Sequence, residues 1–259
     1  MPFHSEQPIK QVDNYKMVAA FYDYLMRHVN YQRWYKFVSA IVNKHHVGGA
    51  NILEMACGTG KMLEQFIRAG WMAVGVDKSA AMLDRAKRRI PMEFQENNLI
   101  VGDMRDSRIY GEFSAVICLY DSINYCMTEE ELKKSLQNML DNLLAGGVLI
   151  FDICTIYNCS HNFRDYHEKE FYRDLDYTRE AYFNPATNQQ TNEFWITESE
   201  REEIIYHEKH IQQMYRISVV KKIIEEEIGS CKILGIFENY TRRVGSEKSE
   251  RVHFVVKKT

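Results

Sequence analysis

The sequence predicts an α/β protein, a mostly parallel sheet flanked by helices and followed late in the chain by a small antiparallel β insertion. Three observations predict it. Strand-like apolar runs alternate with helical patterns from residue 51 to residue 153, which argues a parallel sheet. The first run enters its helix through a turn containing Gly58 and Gly60. From about Tyr157 the rhythm changes to polar, aromatic-rich stretches with a turn signal at Asn184-Pro185-Ala186-Thr187-Asn188.

Taken in order, Asn51 to Ala56 starts apolar as a buried strand does, and Lys61 to Ala69 carries Met62, Leu63, Phe66 and Ile67 at helical spacing. Gly70 stops that helix, and Met72 to Val76 reads as a second buried strand with Asp77 at its carboxyl end. Parallel strands joined by a helix leave a crevice beyond their carboxyl ends, where open α/β sheets bind ligands. Asp77 is aimed there, most simply at the two hydroxyls of a ribose. Ser79 caps a helix with Met82, Leu83 and Ala86 inward, and Pro91 ends it. Leu99 to Val101 is a short third strand running into Gly102-Asp103-Met104-Arg105-Asp106. Phe113 to Tyr120 is a strand expected beside the first, where the order reverses; Asp121, Ser122, Asn124 and Tyr125 put polar groups at its end, a pattern of sites rather than cores. Thr128 and Glu131 form a capping box for a helix with Leu132, Leu136, Met139, Leu140 and Leu143 inward, ended by Gly146-Gly147 before a fifth strand, Val148 to Ile153.

Upstream, two helices are expected, one with Val12, Tyr15, Ala19, Tyr22 and Met26 on a stripe and one with Trp34, Phe37, Val38, Ile41 and Val42. Downstream, Tyr177 to Phe183, Thr191 to Thr197 and Glu202 to Tyr215 read as antiparallel strands. Ser218 is placed as the cap of a last helix that Gly229 ends, and Lys232 to Tyr240 pairs with Arg251 to Lys257. The expected divisions are 1–46, an N-terminal helical lid; 47–156, the ligand-binding core; 157–216, the insertion; and 217–259, a helix and hairpin completing the core sheet.

The 259 residues suffice for a full core, and a net charge of −3 leaves no nucleic-acid footprint in the totals. Six cysteines without a C-x-x-C pair predict reduced thiols rather than zinc ligands, and no metal site is expected. No run approaches the ~20 apolar residues of a membrane span, so no membrane association and a cytoplasmic location are expected.

Two ligand classes compete for the glycine turn. A dinucleotide fingerprint needs G-x-G-x-x-G, and its third glycine is here Leu63. Glu54-Met55-Ala56-Cys57-Gly58-Thr59-Gly60 instead resembles the acid-x-x-x-Gly-x-Gly signature of class I S-adenosylmethionine-dependent methyltransferases. That resemblance implies a Rossmann-like, seven-stranded sheet, S-adenosylmethionine as cofactor and S-adenosylhomocysteine as product. It implies a cofactor site of Tyr15, Glu54, Ala56, Gly58, Gly60, Asp77, Lys78, Met82, Asp103, Met104, Leu119 and Asp121, with Asp103 receiving the adenine amino group and the N-terminal segment, including Tyr15, Ala19, Tyr22 and Asp23, folding over as a lid. The run Gly102 to Asp106 followed by Asp121 to Tyr125 is similar to small-molecule methyltransferases, including amino-sugar N-methyltransferases, in which an insertion roofs the acceptor pocket.

Methyl transfer from a sulfonium is an in-line displacement that alignment and exclusion of water can drive, worth ~7 to 11 kcal/mol. An amine acceptor must lose its proton, so Tyr22, Tyr125 and His207 are the catalytic candidates, with Asp121 and His210 also in reach. His207 and His210 are three apart on a strand, so only one faces inward. The expected partner is a small-molecule acceptor, methylated on nitrogen or oxygen, and the protein a monomer or homodimer. A tRNA or protein methyltransferase, a non-catalytic S-adenosylmethionine-binding protein and a nicotinamide-dependent oxidoreductase are the alternatives.

Overall fold

A computed structural model describes residues 7–45, 47–96, 98–109 and 112–259. The chain begins with strand β1 (Ile9–Val12), a single 3-10 turn (Val18–Ala20), helix α1 (Tyr22–Leu25) and helix α2 (Tyr31–His45). The alternating unit follows as β2 (Asn51–Met55), α3 (Lys61–Arg68), β3 (Met72–Asp77), α4 (Ala80–Lys87), β4 (Leu99–Val101), β5 (Phe113–Cys118), α5 (Glu129–Asp141) and β6 (Leu143–Cys154). Then come α6 (Ile156–Asn162), the strands β7 (Asp165–Tyr172), β8 (Leu175–Asn184), β9 (Gln189–Glu198) and β10 (Arg201–Gln213), helix α7 (Ile217–Lys222), and the closing pair β11 (Cys231–Glu238) and β12 (Arg251–Lys258).

The core sheet has seven strands in the order β11-β12-β6-β5-β2-β3-β4. The five from β6 to β4 are parallel, while β12 runs antiparallel to β6 and β11 antiparallel to β12. Helices cover both faces, so successive residues of a central strand are both buried and the strands read as unbroken apolar runs. Leu53, Val116 and Leu149 pack with Leu132, Leu136 and Met139 of α5 on one face. Their neighbours Ile52, Ala115 and Ile150 pack with Trp34, Val38 and Ile41 of α2 on the other. The order reverses between β2 and β5, which places the crevice at their carboxyl ends.

The insertion supplies four strands and the N-terminal segment one to a second sheet of five, in the order β1-β10-β9-β8-β7. Two of them, β1 and β7, are absent from the sequence reading. The amphipathic helix expected from Val12 to Met26 does not form. Glu208 accepts hydrogen bonds from the backbone N–H groups of Tyr15, Met17 (2.9 Å) and Val18 (3.1 Å), and Tyr15 turns with φ 63°, so these donors leave the helical ladder. β1 instead pairs in parallel with β10, joining the N-terminal segment to the insertion.

Two other helix ends also differ. Asn142 closes α5 by donating its side-chain N–H to the Asn138 carbonyl at 2.8 Å, and β6 runs straight through Gly146 and Gly147. Ser218 lies inside α7, whose first N–H, that of Ile217, is capped at 2.8 Å by the Glu247 carboxylate. Of the capping box expected at Thr128, the cap bond forms, Thr128 Oγ1 accepting from the Glu131 N–H at 3.1 Å, while the Glu131 carboxylate accepts from Met127 N–H at 2.8 Å, one residue before the cap.

Candidate active site

The turn after β2 has positive φ at Ala56 (56°), Gly58 (55°) and Gly60 (73°). At Gly60 a Cβ would also come within 3.2 Å of Ala86, so conformation and the approach of α4 both require glycine. Asp77 pins this turn: one carboxylate oxygen accepts from Gly58 N–H and the other from Ser79 N–H, both at 2.8 Å. Glu54 is buried at 4% exposure with Oε2 unpartnered, and burial pushes its carboxyl well above the ordinary range against one Leu63 N–H bond. A cleft of about 50 Å³ opens over the turn between Glu54, Ala56, Gly58, Leu119, Tyr22 and Tyr31. An orphaned buried carboxylate oxygen beside strained backbone fits a ligand with a cationic amino end, such as S-adenosylmethionine.

Beside it lies a chamber of about 300 Å³ beneath the second sheet, and the two cavities meet at Tyr22, Tyr120 and Ser122. Its floor is the end of β5, where Tyr120 and Asp121 both have positive φ (62° and 51°). Asp152, fully buried on β6, holds that bend by accepting the N–H of Tyr120 at 2.7 Å and of Asp121 at 2.9 Å. Arg251 of β12 bridges Asp152 and Asp121, the latter at 2.5 Å, and lies 4.8 Å from the Tyr120 ring centroid. Gln212 donates to the other Asp121 carboxylate oxygen at 2.9 Å.

A line of hydrogen bonds borders the chamber. The hydroxyls of Tyr15 and Tyr125 lie 2.7 Å apart, Tyr125 meets His210 Nδ1 at 2.9 Å, and His210 Nε2 meets Glu208 at 2.8 Å. Glu208 is fully buried and also takes the three N–H bonds of the N-terminal turn. As an acceptor-only carboxylate it fixes the proton on His210 Nε2, leaving Nδ1 to accept from Tyr125. Burial pushes the Tyr15, Tyr22 and Tyr125 hydroxyls upward, so they keep their protons.

The structure therefore brings together Tyr15, Tyr22, Tyr125, Asp121 and His210 at the chamber, and Glu54, Ala56, Gly58, Leu119 and Tyr22 at the cleft. His207 is a correction: it faces the other side of β10, stacked on Trp195 at 4.0 Å and held by Gln11 (2.8 Å) and Glu193 (2.9 Å), so the inward histidine is His210. Lys78 and Arg105 close on Asp103 at 3.2 and 2.6 Å and hold its carboxylate well below the usual range, so that group anchors the loop after β4. Met82 is buried on α4, and the Met104 carbonyl accepts from Asn138 at 3.0 Å. Neither methionine borders the cleft or the chamber. Glu208, Asp152 and Arg251 escape the sequence reading. A signal existed for two of them: Asp152 interrupts the apolar run Val148 to Ile153, and Glu208 lies between His207 and His210 on a strand with a buried face.

The N-terminal segment is tied to the turn through Asp23, which accepts from Thr59 Oγ1 at 2.7 Å and pairs with Arg89 at 2.5 Å and Lys61 at 3.4 Å. Among the described residues no helix is long and apolar enough to cross a membrane, and no three His, Cys, Asp or Glu side chains gather as a metal site.

Comparison with known proteins agrees with this geometry. Residues 52–147 match the methyltransferase domain family. A provisionally named methyltransferase of Geobacillus sp. (strain WCH70) is 28% identical over 252 residues, covering 94% of this chain and 99% of its own. A dTDP-3-amino-3,4,6-trideoxy-alpha-D-glucopyranose N,N-dimethyltransferase of Streptomyces venezuelae is 33% identical over 129 residues, 50% of this chain and 53% of its own. The crystal structure of an S-adenosylmethionine-dependent methyltransferase from Clostridium acetobutylicum ATCC 824 superposes with a TM-score of 0.76 at 26% identity, covering 94% of this chain and 98% of the other. The acid-glycine turn, the seven-stranded order and the orphaned Glu54 oxygen in one crevice agree with these matches: residues 52–147 carry a methyltransferase domain, and the chain is an S-adenosylmethionine-dependent methyltransferase.

Proposed function

We propose that this enzyme methylates a nitrogen of a small-molecule acceptor held in the chamber under the second sheet. The observation that carries the reading is the junction of cleft and chamber at Tyr22, Tyr120 and Ser122, which lets a donor over the glycine turn meet an acceptor under the sheet. A chamber of about 300 Å³ suits a small ligand. When bound, S-adenosylmethionine supplies an electrophilic methyl group on a cationic sulfur.

Glu54 is the group to hold the amino end, through its unpartnered oxygen. Asp77 retains one lone pair on each oxygen beyond Gly58 and Ser79, enough to accept two ribose hydroxyls. Tyr22 and Tyr120 exclude water where the cavities meet. An ammonium acceptor must shed a proton before its lone pair can attack. Tyr15 accepts it while passing its own proton to Tyr125, which passes one to His210 Nδ1, and Glu208 stabilises the imidazolium so formed. The Asp121 end of the chamber, with two carboxylates against one guanidinium, attracts the cationic amine in the first place.

The test is S-adenosylhomocysteine release with a panel of amines, amino sugars and matching alcohols. Release with amines and a fall of about 100-fold in turnover for His210→Asn, with cofactor affinity kept, are expected. Cofactor binding without release on any amine would instead make the chain a binding protein.

A further inference from the structure

The row of β8 that faces the core, Leu175, Tyr177, Arg179, Ala181 and Phe183, is apolar except for Arg179, which borders the chamber. Its guanidinium donates twice to one neutral acceptor, Asn192 Oδ1, at 3.1 Å from Nε and 2.7 Å from Nη2. The rings of Phe163, Tyr166 and Phe194 surround it with centroids 5.9, 5.4 and 5.7 Å away. The cross-strand neighbour Glu168 accepts from the Tyr166 hydroxyl at 3.0 Å, and among the described residues Arg179 makes no ion pair. The other guanidinium of the chamber, Arg251, is matched by Asp121 and Asp152. A guanidinium offers five N–H donors in a planar fork, and leaving several of them in a ring-lined pocket without an anion is costly unless a ligand supplies one.

We infer that the methyl acceptor carries an anionic group, a carboxylate or a phosphate, that seats on Arg179. The assignment rests on the small-molecule methyltransferase reading above and narrows its substrate class to amines bearing a negative charge. The chamber then has two poles, with carboxylate excess at Asp121 drawing the amine and Arg179 drawing the anion. The intrinsically planar fork is bordered by rings on several sides and partly shielded from water, which strengthens a bidentate contact relative to one in open solvent.

Two measurements test it on the full chain. Thermal midpoints are compared for wild type, Arg179→Gln and Arg179→Lys with acetate, inorganic phosphate or pyrophosphate at constant ionic strength, with and without S-adenosylhomocysteine. At least one anion is expected to raise the midpoint of the wild type, less so of Arg179→Lys, and not of Arg179→Gln, while S-adenosylhomocysteine stabilises all three alike. A response to acetate alone points to a carboxylate, and one to phosphate or pyrophosphate to a phosphorylated acceptor. The second measurement pairs charged with neutral amines, glycine with glycinamide and glucosamine 6-phosphate with glucosamine. The wild type's preference in kcat/KM for a charged member falls about tenfold in Arg179→Gln. Anion responses equal in wild type and Arg179→Gln, or absent from both, overturn the inference. Loss of S-adenosylhomocysteine binding with the anion response intact would overturn the methyltransferase reading instead.

Discussion

The cleft and the chamber adjoin but are built differently. Most of the cleft comes from one stretch, Glu54 to Met62, presenting strained backbone and a single orphaned acid. The chamber draws its groups from widely separated segments: Tyr15, Tyr125, Arg179, His210 and Arg251 sit on different elements and meet only in the fold. A ligand shared by a whole family can be read by local backbone, whereas an acceptor particular to one enzyme is read by side chains gathered from afar. If so, damage to the chamber should fall on stability and acceptor use, and damage to the cleft on the cofactor.

The sharpest break in that contrast is Arg251→Met. Arg251 is 14% exposed between Asp121 at 15% and Asp152 at 0%. Removing the cation strands two buried carboxylates, and breaking buried pairs costs roughly 3–5 kcal/mol. Urea unfolding at neutral pH should show a loss of that order. A loss below about 1 kcal/mol would mean the bend at Tyr120 and Asp121 holds without its counter-ion.

Glu54→Gln separates stability from binding, because the two should move in opposite directions. Burial raises the Glu54 carboxyl above its ordinary value of 4.5, so the folded protein binds this proton more tightly than the unfolded chain. Stability therefore declines as pH climbs from the unfolded value to the raised folded one, and stays lowered above it. The amide removes that decline, so Glu54→Gln should be at least as stable as wild type at neutral pH and show a flatter stability profile above pH 4.5. Loss of a charged acceptor should meanwhile weaken S-adenosylmethionine by about 1.5–3 kcal/mol in calorimetry. Equal weakening by Glu54→Gln and by a chamber variant such as Tyr125→Phe would erase the distinction between the two cavities.

The same contrast explains what could be read in advance. The central strands were legible because helices bury both their faces, and the turn at Gly58 and Gly60 because its strain lies within one short stretch, Ala56 to Gly60. Ser79 announced its helix because an N-cap acts on an N–H three residues away, here that of Met82 at 3.3 Å. The helix expected over Val12 to Met26 failed for a remote reason. Its periodicity is real, since Val12, Tyr15, Tyr22 and Met26 do pack with Tyr177 and Phe194 of the second sheet, but a carboxylate nearly two hundred residues away takes the donors a helix needs. His207 and His210 were indistinguishable by spacing, because a strand's alternation separates two faces without saying which one meets the chamber. Arg251 gave no local sign, as its partners lie on β6 and at the end of β5.

Asp23→Asn is the mildest probe, and it tests whether the N-terminal segment belongs to the cleft or to the chamber. That segment is fastened at both ends: to the turn by Asp23, through Thr59, Arg89 and Lys61, and to the second sheet by the buried Glu208. The Asp23 side chain is 41% exposed, and solvent screens its two ion pairs, so the charge change should cost under about 1 kcal/mol of global stability. An asparagine can still accept from Thr59, which isolates the charge. Opening at this end need not unfold the sheet, so amide exchange should quicken for Tyr22 to Leu25 while Met17 and Val18, bonded to Glu208, stay protected. Salt should mimic the substitution, since exposed pairs weaken within a Debye length of about 8 Å at physiological ionic strength. Exchange that quickens equally from Met17 to Leu25 would show the segment opening as one piece, with Asp23 and Glu208 acting as a single clasp over both cavities.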